Sequence, residues 1–148
     1  MYSFTRNACV ARFGAHLAGP TSAFFLVLAE AEMSAAETEA LQKSAEALGW
    51  NEGATFVHMR NAEGTQLTQA DVYEILEALD PVCVVVVGTA ARECVAQAFR
   101  CEVPTQGRFR LFGRDACAFN NLGGLLESEA GKKTVWALLR GLPHAGQQ

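Results

Sequence analysis

The sequence predicts an α/β domain of three layers, α/β/α, with helices on both faces of a mainly parallel central sheet. Three observations carry this expectation. Val82-Cys83-Val84-Val85-Val86-Val87 is an unbroken apolar run, and such a run suits a strand buried on both faces, because a strand with one wet face alternates. Similar runs occur at residues 23–28 and at residues 54–59, the latter centred on Phe56 and Val57. Stretches with helical periodicity separate the three runs, giving the strand and helix alternation of a parallel sheet covered on both sides.

Taken in order, residues 1–22 mix Arg6, Arg12, Phe13, His16, Gly19 and Pro20 without a clear period and read as an arm or short helix before the core. Gly19-Pro20-Thr21 then turns the chain into the first strand. Ser34 with Glu37 three positions on forms a capping box, and Leu41, Ala45 and Leu48 mark the buried face of the helix that ends at Gly49. After the second strand, residues 61–65 form a loop. Thr68 caps the next helix, with Asp71 near its positive end and Val72, Ile75, Leu76 and Leu79 on one face.

Pro81 cannot donate to a ladder and marks the start of the third strand, expected at the centre of the sheet; Gly88-Thr89 turns it into a helix running from Ala90 to Phe99. Residues 108–112 and 116–119, joined by Gly113-Arg114-Asp115, predict a hairpin. Residues 120–124 read as a flexible polar loop. A last helix, from Ser128 or Ala130 to Arg140, is expected to turn Val135, Trp136, Leu138 and Leu139 inward, with residues 143–148 a loose tail. A single domain spans 1–148.

Half of the 148 residues are hydrophobic and 19% are charged, the balance of a globular chain. The longest apolar runs stay under about ten residues, against about 20 for a membrane-spanning helix, so no membrane association is expected. Met1 to Arg6 leads into no compact apolar segment, which predicts no secretory signal. Cys9, Cys83, Cys94, Cys101 and Cys117 are odd in number and contain no pair two residues apart, which predicts reduced thiols in the cytoplasm and no metal or other cofactor. The net charge of −4 is uneven: residues 1–80 hold four Arg and Lys against eleven Asp and Glu, residues 81–148 eight against five. Arg108, Arg110 and Arg114 belong to that basic surplus and are candidates for contacting nucleic-acid phosphate; the plainer reading is a solvated surface of mixed charge.

No GxGxxG, phosphate-binding loop, HExxH or GxSxG pattern is present, so the common nucleotide, zinc-hydrolase and esterase chemistries have no support. Position in the fold nominates residues instead. Ligands of open α/β sheets gather at the carboxyl ends of the strands, which singles out Gly88 and Thr89 after the third run and His58 after the second.

Several local strings resemble the uracil-DNA glycosylase superfamily, especially its small bacterial members, over residues 24–142. The central segment from Leu79-Asp80-Pro81 to Gly88-Thr89-Ala90-Ala91 is the best match. The family's Gly-Glu-Ala-Pro-Gly corresponds to Ala29-Glu30-Ala31-Glu32-Met33, and the Lys-Cys-Arg-Pro of its iron-sulfur members to His58-Met59-Arg60-Asn61. Its base-reading Asn falls on Thr55, and its His-Pro-Ser on Asn121-Leu122-Gly123. What the resemblance implies is a glycosylase-like fold in DNA repair or replication, with Glu30, Asn61 and Asn121 as candidate catalytic groups and Asn120 beside them. Yet the positions that carry the family's chemistry are changed. Base excision needs an ordered water or a carboxylate for the oxocarbenium sugar and donors for the leaving base. The expectation is therefore a catalytically silent protein that binds a protein or nucleic-acid partner. The psi subunit of the replicative DNA polymerase is similar in layout and likewise lacks the glycosylase motifs. An active glycosylase with non-standard residues and a small-molecule-binding domain are the alternatives.

Overall fold

Five consecutive apolar side chains leave a strand no face for water, and two such strands lie side by side at the middle of this sheet. The computed structural model describes residues 2–146, with side chains from Arg6 onward. Its elements are α1 (Tyr2–Phe13), β1 (Leu17–Ala18), β2 (Phe25–Ala29), α2 (Ala35–Ala47), β3 (Ala54–His58), α3 (Gln69–Leu79) and β4 (Cys83–Val87). There follow α4 (Thr89–Phe99), β5 (Gln106–Leu111), β6 (Arg114–Phe119), α5 (Leu122–Leu125) and α6 (Glu129–Leu139).

The protein is an α/β fold around a six-stranded mixed sheet in the order β1-β3-β2-β4-β6-β5. The pairs β2–β3, β2–β4 and β4–β6 are parallel, whereas β1–β3 and β5–β6 are antiparallel. Every residue of β2 and β4 is buried. Because strand side chains alternate, they feed two cores. Leu26, Leu28, Val84 and Val86 enter one with residues of α1, α3 and α4; Phe25, Val27 and Val85 enter the other with residues of α2, α5 and α6. Each fully buried Val or Leu contributes on the order of 2 kcal/mol.

Both predicted N-caps form. Ser34 and Glu37 make a reciprocal capping box, and Thr68 and Asp71 make a second, which sequence reading left as a cap with a favourable charge.

One expectation is refined and three are corrected. Of the arm or short helix expected at the start, the helix forms, and it belongs to the core: α1 sends Cys9 and Phe13 into the first core, and Leu17-Ala18 pairs with β3. The first strand begins at Phe25 rather than residue 23, because Ala23 takes a left-handed φ of 51° that extends the preceding turn. Residues 120–124 are no flexible loop: Asn121 caps α5, and Leu122 is fully buried. Residues near 143 are not loose, since Trp50 Nε1 donates to Pro143 O (3.1 Å), Ala145 N donates to Leu48 O (2.8 Å) and Leu142 is buried; residues 147–148 lie outside the described residues.

Candidate functional site

Register fixes what meets at the carboxyl ends of the strands. Ala29 is level with both His58 and Val87, and Val87 with Phe119. The next residues of those strands therefore converge, and Glu30, Arg60, Gly88, Asn120 and Asn121 line one open cleft of about 370 Å³. Glu32, Met33 and Glu37 line it as well.

Each candidate catalytic group already has a backbone partner. Glu30 Oε1 accepts from Ala90 N at 2.7 Å, so the carboxylate closes the first turn of α4. The geometry follows from Gly88, whose φ of 100° suits glycine and where a Cβ would lie 2.6 Å from Glu30 Oε1. A helix N-terminus with bare N–H groups is a natural anion site, and here the chain's own carboxylate holds it. Asn121 Oδ1 accepts from Gly124 N (3.1 Å), capping α5. Asn61 Oδ1 accepts from Glu63 N and Thr65 N, both at 3.0 Å, closing its own loop.

Asn120 is held differently: its Oδ1 accepts from Thr89 Oγ1 (2.8 Å) and from Arg92 Nη1 (3.2 Å). Arg92 is anchored by Pro104 O and Val103 O. Arg92 is not among the residues the sequence nominates; its place one turn into α4, three residues after Thr89, is the signal that could have found it. His58 is half-buried, its carbonyl taking a hydrogen bond from His16 Nδ1 (2.7 Å). Burial pushes the His58 imidazole below its usual pKa, His16 adds to this, and Glu32 opposes it.

Thr55 is placed away from the cleft, near the start of β3, where its hydroxyl donates to Pro20 O. The three arginines of the expected phosphate face are also elsewhere. Arg114 is nearly enclosed and bonded to Glu77 (2.7 Å) and Asp80 (2.9 Å); Arg110 pairs with Asp115 (2.8 Å). Both line a hollow with Asp80 and Pro81, near the amino end of β4, while Arg108 reaches toward Gly141.

No family model matches this chain, and no curated protein matches it either. The chemistry of the cleft therefore rests on its own groups. Glu30, Glu32 and Glu37 outnumber Arg60, whose guanidinium has no hydrogen-bond or ion-pair partner among the described residues, so the cleft is acidic. Among the described residues no cluster of His, Cys, Asp and Glu has the arrangement of a metal site, and no helix is long and apolar enough to cross a membrane.

Proposed function

We propose that this protein is a catalytically silent domain of uracil-DNA glycosylase-like, three-layer architecture that acts by binding another protein. The observation that carries the reading is the engagement of Glu30 Oε1, Asn61 Oδ1 and Asn121 Oδ1 by backbone N–H groups: the oxygen that would order a water closes a helix end or a loop in each case. Charge supports a protein over a nucleic acid. Three carboxylates at the cleft repel phosphate, and Arg110 and Arg114 are engaged by acids of the chain itself.

The deciding assay is release of a base from oligonucleotides containing uracil, hypoxanthine, xanthine or an alkylated base, read as strand cleavage after alkali. The expected product is no greater than in buffer. Turnover that disappears in Glu30→Ala or Asn121→Ala would overturn the proposal. DNA affinity across a salt series should be weak and near flat, whereas a slope of about −0.9 per phosphate contact in log K against log salt would indicate a nucleic-acid partner.

A further inference from the structure

Away from the cleft, α6 leaves Trp136 37% exposed, although the sequence predicts it to face the core. The cause is the stripe it occupies: Lys132, Trp136 and Arg140 follow one another four residues apart, while Gly131, Val135 and Leu139 take the buried face. Trp136 walls a groove of about 420 Å³ between α2 and α6, lined further by Ala40, Leu126 and Val135 and, among polar residues, by Glu39, Lys43, Ser44 and Lys132. The groove thus joins an aromatic and alkyl wall to a few polar groups.

Its charged lining is two lysines, Lys43 and Lys132, against one carboxylate, Glu39, in a chain that is acidic overall. Lys43 pairs with Glu39 (2.8 Å) and Lys132 with Glu129 (3.5 Å), but all four side chains are more than half exposed, so water screens both pairs and the ammonium groups can exchange partners. Lys133 and Arg140 have no ion pair among the described residues.

We infer that this groove docks a short amphipathic helix of a partner protein, its apolar side chains at i and i+4 set against Trp136 and its acidic side chains reaching Lys43 and Lys132. A helix laid between two helices buries its apolar stripe against theirs, and a Trp is the side chain that gains most contact area for two ordered torsions. A single-stranded nucleic acid would also stack on Trp136, but it needs a track of cations along its phosphates, and here Glu39 and Glu129 interrupt that track. The inference names a surface and a partner chemistry for the binding role proposed above, and it uses none of the cleft residues.

The test is a display library of helical peptides of about 15 residues selected on the full chain. Selected peptides are then titrated by fluorescence anisotropy. Enriched sequences should carry apolar pairs at i and i+4 flanked by Asp or Glu. Their affinity should fall at least tenfold with Trp136→Ala, little with Trp136→Phe, and severalfold with Lys132→Glu, where a peptide with Lys in place of its facing acid restores binding. Equal Tm values of the exposed-site variants show that folding is intact. The inference is overturned if no acidic peptide is enriched, if Trp136→Ala leaves affinity unchanged, or if oligothymidine competes with the peptide. The two readings fail separately: base release counts against the silent cleft alone, and indifference to Trp136→Ala counts against the groove alone.

Discussion

Glu30→Ala removes the acceptor that closes the first turn of α4, and the consequence can be worked from the geometry. The carboxylate lies 2.7 Å from Ala90 N, and Gly88, at the N-cap, supplies no side-chain oxygen. Loss of a capping acceptor costs about 1 kcal/mol. Loss of a charge at the positive helix end adds a few tenths of a kcal/mol, on the order of 0.3 for an exposed carboxylate. Water replaces part of each, so the expected loss is about 1 kcal/mol, lowering Tm by roughly 3 °C in a chain of this length. Glu30→Gln keeps an oxygen for Ala90 and should fall between the two. Gly88→Ala supplies the second arm of the experiment. Its Cβ would sit 2.6 Å from Glu30 Oε1 and 2.8 Å from Glu30 Cδ, and φ stays near 100°. In the native background Gly88→Ala suffers both collision and backbone strain; in the Glu30→Ala background only the strain, on the order of 1–2 kcal/mol, remains. The double variant should therefore be more stable than the sum of the single effects by more than about 0.5 kcal/mol. Urea unfolding of the four proteins, at equal m value, measures this. Strict additivity, with Glu30→Ala neutral, would refute the idea that this carboxylate is built into the turn.

Three further outcomes are expected. In Gly131→Ala the new Cβ falls on the backbone oxygen of Leu125, which cannot swing away as a side chain would, so the α5–α6 turn must shift and urea unfolding should show a loss of about 2 kcal/mol or more; Gly123→Ala, whose Cβ would make ordinary contact with Glu37 at 3.6 Å, should be tolerated. The lowered pKa of His58 means that the unfolded chain binds the proton more readily, so this residue's contribution is present above pH 6.5 and is lost as pH falls below it; His58→Gln should flatten that part of the curve of unfolding free energy against pH, and an unchanged slope would count against the assignment. Burial pushes the Cys83 and Cys117 thiols up to about 12, and of the five cysteines only Cys101 is not fully buried; Ellman's reagent at pH 8 should modify one thiol quickly in the native protein and all five in urea.

Much of the fold was legible because its signals are local. The valine run needs no partner to declare that both its faces are dry, and Ser34 with Glu37 announces a helix start within four residues. The misreadings have a common physical origin in contacts that cross the chain. Nothing near Phe13 indicates that it packs among residues of α3 and α4, and nothing near Pro143 indicates that Trp50, 93 residues away, donates to its carbonyl. Trp136 was assigned inward because helical spacing fixes which residues share a stripe without fixing the width of the buried stripe. The cleft was partly legible for the same reason. That strand ends converge follows from the parallel pattern, which singles out Gly88, whereas Glu30 and Asn120 were reachable only through the resemblance. That Glu30 bends back onto Ala90 depends on register between β2 and β4, which no local string encodes.

The same register decides which ligands the cleft can receive. A phosphate approaching α4 must displace Glu30 from Ala90 N and pass Glu32 and Glu37, and at physiological salt the screening length of about 8 Å leaves charges at contact distance largely unscreened. Three of the eleven acidic residues of the first 80 thus stand at the carboxyl ends of the strands, following or flanking β2. The basic surplus of the remainder is divided. Arg110 and Arg114 are neutralised by Asp115, Glu77 and Asp80, while Lys132, Lys133 and Arg140 lie on α6 and its C-cap, with Glu129 beside Lys132. A partner that carries acidic residues is therefore steered away from the cleft and toward α6, and steering of this kind acts on the rate of encounter. Reversing Lys132 and Lys133 together to Glu should slow association of an acidic peptide several-fold at low salt, with the effect fading as salt is raised. Stopped-flow anisotropy separates the two rate constants, and a change confined to dissociation would refute steering.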